Sequence, residues 1–355
     1  MIINKIICSD DSTFIGMNGG MIESPDGKRI IYARKKDITQ KKGMEIWVCD
    51  IDLKNHRHIY TVECFNHNGP SASFIDNSTV VFRDMSGEVS AFIIMDIDSV
   101  KIKHRIYAKE SHRAENGIYP FSVSKEFLDK NPDYPMIDET GIYTLDIDDG
   151  KIKKILSGDN LTEIVKSHGL TPVEDTVSVS HVQLNPSATS VMMRIGVKDC
   201  PVFGALGCFD INSGKSHMIK DKPVHQLWYD DDTYMATRQF ENNGHIEMDT
   251  SYIARFSKDG EEIEVLGGIG NHIDGNHDRT VFAGDRCYPD YSPNIYIYEK
   301  GSKKAIHEIE IPDLQDVIWK LQVHPNPSFS KDGKRLYFNM PVSENKTEAS
   351  FVELI

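Results

Sequence analysis

The chain of 355 residues is short of several things that would point to familiar functions. No stretch approaches the roughly 18 consecutive apolar residues that a membrane-crossing helix needs. Positive charge is in deficit: Lys and Arg total 40 against 54 Asp and Glu, a formal net charge of -14. Such a field repels polyanions, which argues against non-specific binding to nucleic acid or to an anionic membrane, and an acidic small ligand would need a locally cationic pocket. The six cysteines (Cys8, Cys49, Cys64, Cys200, Cys208 and Cys287) form no CxxC pair and keep no regular spacing. Several fall in strand-like runs, where a free cysteine behaves as a small apolar residue. The opening stretch MIINKIICSDD has an apolar run too short for a secretory leader and no small-residue cleavage motif. A reducing cytoplasm is the expected compartment. Convincing helical periodicity is nearly absent as well.

What is present is a core-forming composition, 39% hydrophobic, written in repeats. One phrase is a strand that ends in an acidic turn: IWVCDID from Ile46, FIIMDID from Phe92, IYTLDIDDG from Ile142 and GCFDINSG from Gly207, with looser copies from Tyr252, Ile295 and Ser350. Each alternates as a half-buried strand does, then supplies Asp, Asn or Gly for a turn. A second phrase precedes it and reads as strand, tight turn, strand: MIESPDGKRIIYAR, SFIDNSTVVFRD, VQLNPSATSVMMR, LWYDDDTYMATR, IDGNHDRTVFAG and SFSKDGKRLYF. In the third repeat, GIYPFSVSKEFLDKNPDYPMIDET stands where the hairpin belongs, and an insertion with a helical turn is expected there. Seven copies of about 45–50 residues, four short strands each, describe an all-β seven-bladed β-propeller over residues 1–355 as a single domain. An eight-bladed ring or a two-sheet sandwich fits less well. The last repeat ends after its third strand, so the N-terminal INKIICSD is expected to close the ring as the missing outer strand.

Aligning the hairpins on Leu184, Trp228, Gly275 and Phe329 puts His181, His225, His272 and Asn326 three positions earlier. The same alignment gives Gly19 and Pro70 in the first two blades. First strands line the channel of a propeller, so three imidazoles and an amide should converge at one mouth. Blades without histidine keep the rest of the phrase, so the hairpin does not require it. His324 stands two residues before the ring position; in extended chain i and i+2 face the same way, so His324 and Asn326 reach one point. His56, His58, His67, His104, His112, His168, His217, His245 and His307 are expected on the surface, and His277 in a hairpin turn.

At these residues the chain resembles the oligogalacturonate lyases, a family of cytoplasmic seven-bladed propellers. The likeness is carried by VSHVQLNPSATSV around His181, VHQLWYDDDTYMA around His225, NHIDGNHDRTVFAGDRC around His272 and QVHPNPSFSKDGKRLYF around His324. The resemblance implies Mn²⁺, or another divalent transition metal, held by His272 and His324. Gln322 is the candidate for the family's Gln ligand, although it lies two residues before His324 rather than three. Asn326 stands where the family has a third ligand histidine, a departure that should weaken metal binding. His225 matches the proposed base and His181 a histidine at the substrate face. Arg194, Lys198, Arg238 and Arg286 follow ring strands, and Arg238 is taken with the catalytic set as a group that could neutralise an acidic substrate.

The implied chemistry is β-elimination on a short uronate oligosaccharide, with the acidic oligosaccharide as the partner and neither nucleic acid nor membrane. Eliminating beside a carboxylate needs that carboxylate neutralised, which a Lewis-acidic metal does, and an imidazole to take the proton. Two other readings stay open: a non-catalytic propeller that binds a partner, and a lyase for a different uronate linkage.

Overall fold

The computed structural model describes residues 1–16, 19–37, 43–64, 69–85, 89–173, 179–198, 204–219, 224–238, 241–242, 245–246, 250–286, 294–312 and 324–354. The repeated hairpin phrase works through a short polar side chain at its turn. Asp76 Oδ1 accepts the N–H groups of Ser78 and Thr79, each at 2.7 Å. Asn185 does the same for Thr189 and Ser190 at 2.8 Å, and Asn276 for Thr280 and Val281 at 2.9 and 3.0 Å. Ser24 and Ser330 cap Arg29 and Arg335 with their hydroxyls. The other phrase, strand then Asp, ends in the same chemistry: Asp96 Oδ1 accepts Ser99 N–H at 2.7 Å. Asx turns of this kind satisfy the main-chain donors that a reversing chain would leave bare.

Seven four-stranded antiparallel sheets result, each a blade. From the inner strand outward, blade one is Ser12–Phe14, Arg29–Lys35, Met44–Asp50 and Arg57–Val62. Blade four is Val179–Leu184, Ser190–Ile195, Ala205–Asp210 and Ser216–Ile219. Blade five is Val224–Trp228, Thr233–Arg238, Tyr252–Ser257 and Glu262–Gly267, and blade six is Ile273–Gly275, Val281–Asp285, Ile295–Glu299 and His307–Ile309. Blade seven takes Ser328–Phe329, Arg335–Ser343 and Lys346–Glu353 from the C-terminal end, and Ile3–Lys5 as its outer strand. The closing register is Ile3 with Val352, Asn4 with Phe351 and Lys5 with Ser350. The expected closure is therefore present.

Seven apolar layers fill the seven gaps between blades. This corrects the expectation of half-buried strands. Along the second strand of blade one, Ile31 and Ala33 face blade two while Ile30 and Tyr32 face blade seven. All four are at most 3% exposed. A blade sandwiched between two others has two apolar faces, so its period-two pattern separates one neighbour from the other rather than core from solvent.

Blade three carries the expected insertion, but not in its hairpin. Ile118–Val123 is an ordinary second strand, and the short helix Lys125–Leu128 follows it, before the third strand Gly141–Asp146. HRAENG makes the inner hairpin turn of that blade, closed by the Glu115–Ile118 bridge. A ten-residue helix, Gly158–Ser167, that periodicity did not announce packs Leu161 and Val165 against the layer between blades three and four. Its ends are built locally, with Ser157 and Asn160 forming a capping box. Two histidines assigned to the surface are buried: His112, and His217 on Asp259 at 2.5 Å. Among the described residues no helix is long and apolar enough to cross a membrane.

The seam between blades seven and one gives two expected outcomes. Ile6 is 1% exposed in that layer, so Ile6→Ala should cost about 2–4 kcal/mol in urea unfolding with the slope unchanged. Across the same seam Tyr337 donates its O–H to Glu23 Oε1 at 2.5 Å. Burial pushes the Glu23 carboxyl above its ordinary value of 4.5, against the pull of that hydrogen bond. The native state then keeps a proton that the unfolded chain releases, so this group's contribution is complete below pH 4.5 and is lost as pH rises through the folded value. Glu23→Gln retains an acceptor for Tyr337 and should flatten that part of the stability–pH curve, measured by urea midpoints between pH 4 and pH 8.

Candidate active site at the channel mouth

The inner strands do not run straight into the channel mouth. Ser71, His181, His225 and Asn326 all have left-handed backbones, with φ of 49°, 52°, 51° and 48°. Each sits in a one-residue register shift. In blade four Ser180 pairs with Arg194, and pairing resumes only at Gln183 with Met192. In blade five Val224 pairs with Thr237, then Leu227 with Met235. In blade seven Asn339 N–H donates to Pro325 O at 2.8 Å, and Ser328 pairs with Tyr337. A bulge re-aims the side chain it carries, and holding a non-glycine residue there costs about 1–2 kcal/mol. The ring position in blade two is thus Ser71, not Pro70, whose carbonyl pairs with Arg83 N–H. Blade six has no bulge: Ile273 pairs with Gly284, and His272 O accepts Asp285 N–H at 3.1 Å.

Three histidines meet there. The His225 and His272 ring centroids are 4.3 Å apart, and those of His272 and His324 are 4.7 Å apart. His272 is held by Asp285, which is fully buried. Asp285 Oδ1 accepts the main-chain N–H of His272 and Oδ2 that of Asn326, both at 3.1 Å. With both oxygens engaged, the carboxylate takes His272 Nδ1 as a further donor at 3.0 Å. That fixes the tautomer: Nδ1 carries the proton and Nε2 presents its lone pair. Nε2 faces His324 Nδ1 at 3.1 Å. Burial raises the Asp285 pKa, opposed by the His272 N–H, His324 and the Asn326 N–H.

His324 is placed by Asn339, whose Nδ2 donates to the His324 carbonyl at 3.0 Å while its Oδ1 accepts Ile15 N–H at 2.9 Å. His225 is half-buried at the mouth. Its Nδ1 is buried and has no hydrogen-bond partner among the described residues. Burial, and then the neighbouring His272 and His181, hold its pKa well below 6.5, so it is neutral at neutral pH. His181 is exposed at the rim, with Nδ1 3.0 Å from Ser180 Oγ.

The arginines divide. Arg194 is buried and donates from Nε to Gln226 Oε1 at 3.0 Å, and its charge is felt by His225. Arg238 follows Thr237 on the opposite face of its strand, with its guanidinium 6.0 Å over the Phe256 ring. Among the described residues no hydrogen bond ties Arg238 to the histidines. Lys198 lies in an exposed turn, and Arg286 is half-buried directly after Asp285. Gln322 lies outside the described residues.

The donor chemistry suits a divalent cation at His272 Nε2 and, once it gives up the proton it donates to Nε2, at His324 Nδ1, with the Asn326 amide close by on the same segment. Among the described residues, however, no three His, Cys, Asp or Glu side chains converge as a metal-holding group. Sequence reasoning missed Asp285 and Asn339 as the groups that orient the histidines. The signal was available: each stands on the second strand opposite the ring residue of its own blade, the place where blade four has Arg194.

The fold is similar to that of two solved oligogalacturonate lyases. One, in complex with manganese, matches with a TM-score of 0.65 at 13% identity; the other, from Vibrio parahaemolyticus, with 0.67 at 12%. Each match covers 99% of this chain and 93% of that chain. The β-propeller domain of Cps50 (Swd1) from Myceliophteria thermophila matches with 0.56 at 11% identity, over 98% of this chain and 99% of that one. Likeness at these identities is likeness of fold. No family model matches the chain, and no curated protein matches it.

If Asp285 fixes the His272 tautomer, Asp285→Asn should scramble it. Histidine nitrogen NMR should show protonated Nδ1 at His272 in the unchanged protein and a mixture in the variant. Unfolding should cost about 2–3 kcal/mol less, from the weakened charge-assisted hydrogen bonds.

Proposed function

We propose that the chain is a divergent lyase that cleaves short uronate oligosaccharides, such as oligogalacturonate, by β-elimination at the histidine mouth. The observation that carries this reading is the convergence of His225, His272 and His324 from three consecutive blades, with the His272 proton fixed on Nδ1. His225 is the base. Neutral at neutral pH, its imidazole takes the carbon-bound proton beside the sugar carboxylate. The electron pair of that C–H bond becomes the new C=C bond as the glycosidic C–O bond breaks, and the departing oxygen is protonated from solvent. His272 through Nε2 and His324 through Nδ1 would hold the divalent metal, manganese by preference, with Asn326 and Gln322 as further ligand candidates. Such an ion, when bound, neutralises the carboxylate and acidifies the adjacent C–H bond. His181 at the rim meets the incoming sugar. Arg194 supplies positive charge beside the base, and Arg238 is the candidate for more distant acidic groups.

A non-catalytic binding propeller has two observations in its favour: no three-donor group converges among the described residues, and an amide occupies the ring position of blade seven. Metal analysis and an assay separate the two readings. Purified protein supplied with Mn²⁺ should convert digalacturonate or its unsaturated form to product, followed by the absorbance of the conjugated double bond. His225→Ala should lower kcat by about 10²–10⁴-fold with KM little changed. Silence on every uronate disaccharide tried, together with no stoichiometric metal, would leave the binding reading.

A further inference from the structure

The hairpin turns of the inner strands gather at the mouth opposite the histidines, where a cavity of about 220 Å³ opens. Its walls include Gly19 of blade one, Arg113 of blade three, Asp274 and Arg279 of blade six and Lys331 of blade seven. Blades one, three and six are not neighbours, so these side chains meet only at the central axis. A Cβ on Gly19 would lie 2.5 Å from Leu227 of blade five and 3.1 Å from His112 of blade three. The main chain of blade one therefore crosses the axis in contact with both, on a glycine whose φ is +73°. None of the three histidines lines this lower cavity.

Arg279 is the group that needs explaining. Its left-handed backbone, φ 55°, sits in the hairpin turn, and its guanidinium lies 5.4 Å over the Tyr229 ring. Nη1 donates to Gly275 O at 3.1 Å and Nη2 to Trp228 O at 3.4 Å. No carboxylate oxygen lies within 4.0 Å of it among the described residues. Burial pulls its pKa below the ordinary guanidinium value; Asp274 opposes this and Arg113 adds to it by repulsion. The Asp274 carboxyl is spent elsewhere, accepting Gly275 N–H at 2.8 Å and Phe329 N–H at 2.9 Å. Arg113 is anchored by Glu115 at 2.5 Å and reaches Gly19 O at 3.4 Å. Two guanidinium groups thus face one small cavity together with the carboxyls of Asp274 and Glu23, and half-buried Arg279 feels the charge of Asp274 without an ion pair to it. The Arg279 guanidinium, bonded only to main-chain carbonyls, keeps donor capacity for an anion in the cavity.

We infer that this cavity binds a small oxyanion, a carboxylate or phosphate group held between Arg279 and Arg113 with Lys331 at the exposed rim. A planar guanidinium fork matches either group. The volume admits a molecule the size of phosphate or a short dicarboxylate and is too small for an oligosaccharide. The site is independent of the lyase reading.

The test is thermal unfolding of the full chain in inorganic phosphate or malonate, against sodium chloride at matched ionic strength. Either anion at a hundred times its dissociation constant should raise the midpoint by about 3–5 °C. A response to phosphate alone assigns a phosphate group, and a response to malonate alone assigns a carboxylate. The rise should vanish in the double variant Arg113→Gln, Arg279→Asn; asparagine tolerates the left-handed turn and glutamine keeps a donor for Gly19. Should circular dichroism show that variant unfolded, Lys331→Ala, an exposed side chain, should weaken phosphate or malonate binding several-fold in calorimetry. No midpoint shift with either anion, an equal shift in the folded double variant, or unchanged affinity in Lys331→Ala would overturn the assignment.

Discussion

Everything in this molecule depends on the burial of each blade's second strand on both faces. A strand such as Arg29–Lys35 has no solvent side, so neither face can be satisfied until both neighbours are in place. Such an array is stable only when it closes, and closure falls to three residues at the N-terminus paired with the last strand. The seam is reinforced by side chains that cross it. Ser12 and Thr13 accept main-chain N–H groups of Thr347 and Ala349, and Lys5 pairs with Glu348. Closure also determines where chemistry can sit. The gaps between blades are filled with apolar side chains, so polar groups that must be both ordered and reachable are left with the axis.

At the axis the repeat creates position and the exceptions create chemistry. Four blades bulge at the ring position and thereby turn one side chain out of the ladder. Blade six does not, and its regular pairing is what allows Asp285 to receive the main chain and the imidazole of His272 together. The cost of the left-handed histidines is carried by the inter-blade layers around them, in which Leu227 and Met235 are buried on one side of blade five and Trp228 on the other. His324 stands outside the repeat altogether. Its place comes from Asn339, a second-strand side chain that clamps its carbonyl and reaches across the closing seam to Ile15. The candidate site and the ring closure therefore share a residue, so a loosened seam would be felt by His324.

Much of this was legible in the sequence because repetition is visible without knowing a single contact. Seven phrases gave seven blades, and the missing outer strand of the last gave the closure. The register of His181, His225, His272 and Asn326 was legible for the same reason. The offset of one residue, Pro70 against Ser71, is one of alignment: blade two aligned on Phe74, as blade seven is on Phe329, puts Ser71 in the ring position. What was not legible depends on the third dimension. Asp285 was not singled out because its partners, His272 and Asn326, come from two blades. His112 and His217 read as surface residues because each is buried by a neighbouring blade or its own outer strand rather than by local sequence. Arg279 drew no attention in the hairpin phrase, since only the axis brings it to the same cavity as Arg113.

The net charge of -14 needs the same correction. As a global number it speaks against polyanionic partners, yet much of the acidity is turn chemistry. Asp26 and Asp96 are held below the ordinary carboxylate range by the Ser24 and Ser99 hydroxyls. Asp76 and Asp230 are held there by neighbouring Ser and Thr hydroxyls and main-chain N–H groups, against a burial that works the other way. These carboxylates are ionised because they cap turns, and the repeat distributes them at the ends of strands around the ring. They describe how the blades are made rather than what the protein meets. The cations that matter are few and axial: Arg194 beside the histidines, and Arg113 with Arg279 beyond the Gly19 crossing. In a propeller with an acidic periphery, these axial cations, of which Arg194 is buried, contribute most to the potential near them, and screening by water removes most of the influence of the rim. An acidic ligand at either mouth is therefore compatible with an acidic protein, because the field it meets is that of the axis.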